Sequence, residues 1–155
     1  MPTPRLTPNA DVTDLPAGWV RYASWDAATD SATSTLAERM ASQTGAGDTI
    51  LLQGDLGTGK THFARAFIRA RLAPEDRGED IPSPSFTLVQ TYEGETVEIW
   101  HADLYRLTDP QEVLELGLDT AMETAICLIE WPDRWTDPWP DATVCVRLSV
   151  PDDAP

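Results

Sequence analysis

Apolar residues along the chain gather in short runs, and one stretch between them changes to a helical period. Thr49-Ile50-Leu51-Leu52 has no polar alternation, which predicts a strand covered on both faces. Ala125 to Ile129 repeats that pattern and ends on Glu130. Between Lys60 and Leu72 the spacing of Phe63, Ala66, Phe67 and Ala70 predicts a helix with those residues on one face. Phe86 to Tyr92 and Val97 to Ala102 read as strands around Glu93-Gly94-Glu95, the spacing of an antiparallel hairpin. Thr143 to Val150 reads as a last strand, and the Trp, Val and Tyr of Trp19 to Ser24 as a first, edge strand. Asp30-Ser31 offers N-caps for a helix through Leu36 and Met40 that ends near Gly45 and Gly47. Asp109-Pro110 opens a short helix through Leu116. Residues 73 to 84, polar and proline-rich, read as a loop.

Buried strands alternating with helices predict an α/β fold, and the hairpin makes its sheet mixed rather than wholly parallel. The expected architecture is a single domain over residues 18–150, a mixed sheet flanked by helices. Residues 1–17 read as a loose leader and 151–155 as a tail.

Composition narrows the function. The 155 residues are 41% hydrophobic, and 26 acidic against 11 basic residues give a net charge of −15. Such a surface repels phosphate backbones, so DNA or RNA would reach this chain only through a partner. Pro2, Pro4 and Pro8 lie in a polar stretch unlike a signal peptide, and no segment approaches a membrane span. Cys127 and Cys145 sit in apolar runs without metal-ligand spacing and read as reduced core residues of a cytosolic protein. With only His62 and His101 besides, a structural zinc site is not expected.

The strongest chemical signal lies between the first buried strand and the amphipathic helix. Gly54-Asp55-Leu56-Gly57-Thr58-Gly59-Lys60-Thr61 fits G-x-x-x-x-G-K-[ST], the phosphate loop of P-loop NTPases, without mismatch. Glycines let successive amides turn toward phosphate oxygens, and the helix adds its positive end. Lys60 then reaches the β- and γ-phosphates and the Thr61 hydroxyl ligates magnesium, so a nucleoside triphosphate with Mg2+ is the expected ligand. Lys60 is also the only lysine; the other ten basic residues are arginines. Composition has drifted to arginine everywhere except where a compact ammonium suits the chemistry.

Phosphoryl transfer also needs an acid on the metal and a group that orients water. Glu130 and Asp103 both end apolar strands, where ligands of open α/β sheets gather. His101 precedes Asp103 on the same strand face, and alone reads as a packing residue. Ile81-Pro82-Ser83-Pro84-Ser85-Phe86-Thr87 is stiffened by prolines and rich in hydroxyls. Its spacing alone leaves it between linker and switch. Trp131, Trp135 and Trp139 recur every four residues, but Pro132, Pro138 and Pro140 forbid a regular helix. They read as a packed loop, with a docking or base-stacking surface as the alternative. An N-K-x-D guanine reader, a D-x-x-G switch and an arginine-rich kinase lid are all missing.

Four segments in order, the phosphate loop, Ser83-Pro84-Ser85-Phe86-Thr87-Leu88, His101-Ala102-Asp103-Leu104-Tyr105-Arg106-Leu107 and Ile129-Glu130-Trp131-Pro132, resemble the bacterial TsaE family. That family is the ATPase subunit of tRNA threonylcarbamoyladenosine biosynthesis, and the likeness spans about residues 30 to 150. It implies a cytoplasmic, Mg2+-dependent ATPase that resets a complex with TsaD- and TsaB-type subunits while they modify adenosine 37 of tRNA. By position, Asp55, Leu56, Gly57, Thr58, Gly59 and Lys60 bind phosphate, and Thr61 and Glu130 ligate Mg2+. Asp103 is the water-orienting acid, Ser83 to Thr87 the switch, and Trp131 the tryptophan beside nucleotide or partner. His62 departs from a second hydroxyl common in relatives, and Ser85 from a threonine. From size and phosphate loop alone, an autonomous small-molecule or nucleotide kinase, or a nucleotide-sensing module without turnover, remains the alternative.

Overall fold

The computed structural model describes residue 27 and residues 29 to 150. The expected strand at Trp19 to Ser24, the leader and the tail lie outside these residues. Helix α1 (Asp30–Gln43) leads into strand β1 (Thr49–Gln53), and α2 (Lys60–Arg71) follows the phosphate loop. Strands β2 (Val89–Glu93) and β3 (Glu98–Asp103) come next, then helices α3 (Pro110–Glu115) and α4 (Leu118–Thr124), and strands β4 (Ile126–Glu130) and β5 (Thr143–Arg147).

The sheet order is β2-β3-β4-β1-β5. β3, β4, β1 and β5 run parallel, while β2 pairs antiparallel with β3 as the hairpin spacing predicts. α1 and α2 cover one face of the sheet over Ile50, Leu52, Ile99, Ile126 and Leu128. α3 and α4 cover the other over Leu51, Ala102, Cys127 and Ile129. β1 and β4 are therefore apolar on both faces because both faces are covered. The α/β fold with a mixed, helix-flanked sheet stands as expected.

Several boundaries differ from the sequence reading, each for a local reason. Thr29, not Asp30 or Ser31, caps α1, its hydroxyl accepting the Ala32 amide at 3.1 Å. On α2 the fully buried residues are Phe63, Ala64, Phe67 and Ile68, while Ala66 and Ala70 are only partly covered. The helix is rolled because α1 packs along it, with the Arg71 guanidinium donating to the Ala41 carbonyl at 3.0 Å. Gly117, at φ 80°, ends α3 and admits a second short helix that the apolar pattern did not separate. Phe86 to Leu88 form a turn rather than strand, since Leu88 takes φ 68° and leaves Phe86 80% exposed.

Candidate nucleotide and metal site

Three parallel strands end side by side, and the register lines up the last residues of β3 and β4 with the penultimate residue of β1. Leu52 is paired with Glu130, and Glu130 with Asp103. The phosphate loop leaves β1 at that same edge and delivers α2 onto the face that Glu130 and Asp103 share. The sheet thus gathers groups from distant parts of the sequence at the carboxyl ends of its strands, as open α/β sheets do.

Gly57 and Gly59 take φ 80° and 103°, the left-handed turns that bring the chain round into α2. Gly59 is the helix N-cap without a side-chain cap bond, and no acidic residue occupies the first turn. Its first amides are left open, with the positive end of the helix behind them. Lys60, 5% exposed, donates to the carbonyls of Gly54 and Asp55 at 2.5 and 2.8 Å. Its ammonium lies 4.2 Å from the centroid of the Trp131 ring.

Across from the loop, the Thr61 hydroxyl donates to Glu130 Oε1 at 2.9 Å. Glu130 Oε2 accepts from His101 Nε2 at 2.7 Å, deep in the protein. Asp103 accepts the Tyr105 amide on Oδ1 at 3.0 Å and the Ser85 hydroxyl on Oδ2 at 3.4 Å. Ser85 and Ser83 hydroxyls lie 2.7 Å apart. Lys60, Thr61, Ser85, Asp103 and Glu130, with Leu56, Gly57, Gly59, His62 and Trp131, line one cavity of about 300 Å³.

The profile of the family described as "Threonylcarbamoyl adenosine biosynthesis protein TsaE" matches residues 27–154. The chain belongs to the TsaE family.

Among TsaE relatives, the tRNA threonylcarbamoyladenosine biosynthesis protein TsaE of Rickettsia conorii is 42% identical over 101 residues, 65% of this chain and 56% of that protein. The Rickettsia bellii protein of the same name is 41% identical over 104 residues, 67% of this chain and 70% of that one. The chain thus spans little more than half the length of the R. conorii relative. A crystal structure of Bacillus subtilis YdiB shares the fold with a TM-score of 0.58 and 25% identity, covering 81% of this chain and 76% of that one.

The electrostatics of this TsaE site follow from burial. Lys60 has its pKa lowered chiefly by desolvation, opposed by the charges of Glu130, Asp103 and Asp55. Asp103 has its pKa raised, first by desolvation and then by Glu130, against the Tyr105 amide, the Ser85 hydroxyl and His101. A hydroxyl and a carboxylate oxygen 2.9 Å apart are hard donors suited to a magnesium ion. Such an ion takes one or two protein ligands and fills its octahedron with water and phosphate oxygens. Among the described residues no group of three or more His, Cys, Asp or Glu clusters as a larger metal cage.

Every expected site residue therefore meets at one edge: the loop from Asp55 to Gly59, Lys60, Thr61, Asp103, Glu130 and Trp131. The Ser83–Thr87 segment joins them through Ser85, while Phe86 points outward under the Arg106 guanidinium, 4.2 Å from its ring. The three tryptophans divide. Trp131 stays in the site against Tyr105, with ring centroids 4.8 Å apart, whereas Trp135 and Trp139 stack at 5.2 Å and pack on the α3/α4 core. His62 reaches away to α1, with Nε2 2.9 Å from the Ser34 hydroxyl and 3.0 Å from the Asp30 carbonyl.

Two features escaped the sequence reading. Tyr105 packs on Trp131, and His101 bonds directly to Glu130. Leu88 and Trp131 are also the only non-glycine residues with positive φ among the described residues, at 68° and 57°. Both flank the site, where backbone strain of about 1–3 kcal/mol per residue tends to collect.

Proposed function

We propose that this chain is a Mg2+-dependent ATPase required for threonylcarbamoyladenosine formation in tRNA, acting in the cytoplasm within a complex with TsaD- and TsaB-type subunits. The observation that carries the reading is the Thr61 hydroxyl on Glu130 at 2.9 Å, beside Lys60 and across the cavity from Asp103. Membership of the TsaE family and the names of its relatives support the pathway.

The residues divide the work by charge. The backbone amides of the loop from Asp55 to Lys60 and of the first turn of α2 receive the phosphate tail, and the Lys60 ammonium reaches its β- and γ-phosphates. Binding transfers Lys60 from the Gly54 and Asp55 carbonyls to phosphate oxygens, and its lowered pKa reflects the shielding of that spot. Thr61 and Glu130 would hold a magnesium ion, which would neutralise charge on the transferred phosphoryl group. Asp103 orients the attacking water and takes its proton; a carboxyl whose pKa burial has raised is a better acceptor than a solvated one. Ser85 links Asp103 to the 83–87 segment, so that segment's position sets the acid's aim. Trp131 and Tyr105 form the aromatic wall beside Lys60.

The net charge of −15 favours docking on protein subunits that themselves carry the tRNA. The test measures phosphate release from ATP and GTP by wild type and Lys60→Ala, with and without TsaD- and TsaB-type subunits. The expected result is slow hydrolysis of ATP alone, acceleration by the partners, and none with Lys60→Ala. Hydrolysis indifferent to the partners, with tRNA modified in the absence of this chain, would end the proposal. Loss of ATP only when a small-molecule acceptor is present would instead identify a kinase.

A further inference from the structure

His101 is fully buried on β3, yet it is polar and touches no solvent. The register pairs His101 with Leu128 and Asp103 with Glu130, so His101 and Glu130 are diagonal neighbours on one sheet face. Its Nε2 lies 2.7 Å from Glu130 Oε2. A carboxylate oxygen only accepts, so Nε2 carries the hydrogen. The other ring nitrogen, Nδ1, is buried without a hydrogen-bond partner among the described residues. The ring therefore has one polar contact, and that contact is Glu130. Packing alone does not explain it, because an apolar side chain would fill the position without leaving a buried nitrogen unpaired.

Glu130 is 2% exposed and its two oxygens are divided: Oε2 to His101, Oε1 to the Thr61 hydroxyl. A carboxylate held at one oxygen cannot rotate freely about its last torsion, so the second oxygen stays where Thr61 is. Side chains that hold a metal ligand in this way set the ligand's direction without touching the metal.

We propose that His101 is a positioning residue that fixes Glu130 for a divalent cation shared with Thr61. This rests on the nucleotide-binding reading above and adds a residue to it.

The test titrates a fluorescent ATP analogue, mant-ATP, into the full chain over a range of Mg2+ concentrations and in EDTA. His101→Leu removes the donor at similar bulk, whereas His101→Gln keeps an amide donor of comparable reach. The leucine variant is expected to need about 10–100-fold more Mg2+ for the same nucleotide affinity, with affinity in EDTA unchanged. The glutamine variant is expected to stay within about threefold of wild type in its Mg2+ requirement. Equal Mg2+ dependence in all three proteins, or an equal shift in both variants, would overturn the proposal. If the leucine variant fails to fold, nitrogen NMR of histidine-labelled wild type decides. With only two histidines, His101→Gln assigns the signals, and a His101 Nε2 without its hydrogen would overturn the proposal. Failure of the underlying reading looks different: mant-ATP would then bind Lys60→Ala as well as wild type, whatever His101 does.

Discussion

Thr61 and Glu130 stand 69 positions apart in sequence, and the hydroxyl of one lies 2.9 Å from a carboxylate oxygen of the other. One lies in the first turn of α2, the other closes β4, and the pairing of β4 with β1 puts both at the edge where the phosphate loop begins. Glu130→Gln keeps the shape and an accepting oxygen but removes the charge. Nucleotide affinity in EDTA is expected to hold, while Mg2+ stimulation vanishes and turnover falls at least about 100-fold. Calorimetry with and without Mg2+, alongside phosphate release, checks it; a variant that still responds to Mg2+ would contradict the assignment.

Asp103 sits at a cost to stability. Its pKa is raised in the folded chain, mainly by desolvation, so the native state binds this proton more tightly than the unfolded chain. The penalty is absent below the ordinary value of 3.8, grows as pH rises through the window up to the raised pKa, and is full above it. Asp103→Asn is therefore expected to raise Tm at pH 7, and the gain should shrink as pH falls toward 3.8. Turnover should drop about 100- to 10,000-fold with nucleotide binding retained. Thermal melts across pH and single-turnover hydrolysis separate the two effects. A variant less stable than wild type at pH 7 would show that the Tyr105 and Ser85 contacts outweigh desolvation.

What could be read from sequence was set by how local each signal is. Gly54 to Thr61 is contiguous, and its geometry follows from glycine positions and the helix it opens. Glu130 and Asp103 were legible because each terminates an apolar run, and a parallel sheet collects such ends. Strand order was not legible: no local pattern says that β4 lies between β3 and β1. Without that order, the register that sets His101 against Glu130 is invisible, and His101 reads as packing. The roll of α2 depends on α1 crossing it, and the split of α3 from α4 on one left-handed glycine. The turn at Leu88 opposes a run that favours strand, because Leu88 bends back so that its amide reaches the Pro84 carbonyl at 2.7 Å and its carbonyl receives the Asp103 amide at 2.9 Å.

The two cysteines should separate by reactivity. Cys127 is buried between β4's neighbours, and desolvation pushes its thiol up to about 12. At pH 8 only about one molecule in ten thousand would carry the reactive thiolate there. Cys145 is half-buried; desolvation raises its pKa as well, with Arg147 opposing. Iodoacetamide on the folded chain is expected to modify Cys145 slowly and Cys127 only after unfolding in urea, read by mass spectrometry of the peptides. Equal labelling of both in the native protein would mean that β4 opens at its core.

Gly54 offers the sharpest steric test of the phosphate loop. A methyl group there would strike the Leu148 carbonyl and come within 2.6 Å of the Thr58 hydroxyl. Leu148 cannot easily retreat, because its amide is tied to the Gln53 carbonyl at 2.8 Å. Thr58 is likewise held, its hydroxyl on the Asp55 carbonyl at 2.8 Å. Gly54→Ala is expected to cost about 1–3 kcal/mol, lowering Tm by roughly 3–10 °C, and to weaken ATP binding with Lys60 intact. Gly57→Ala meets no neighbour within 4 Å but must hold φ 80°, so strain alone should cost about 1–2 kcal/mol. Gly45→Ala has neither problem and serves as the control. Melting curves and mant-ATP titrations on the three variants rank them. If Gly54→Ala behaves like Gly45→Ala, the crowding between the loop and the end of β5 does not hold the loop in shape.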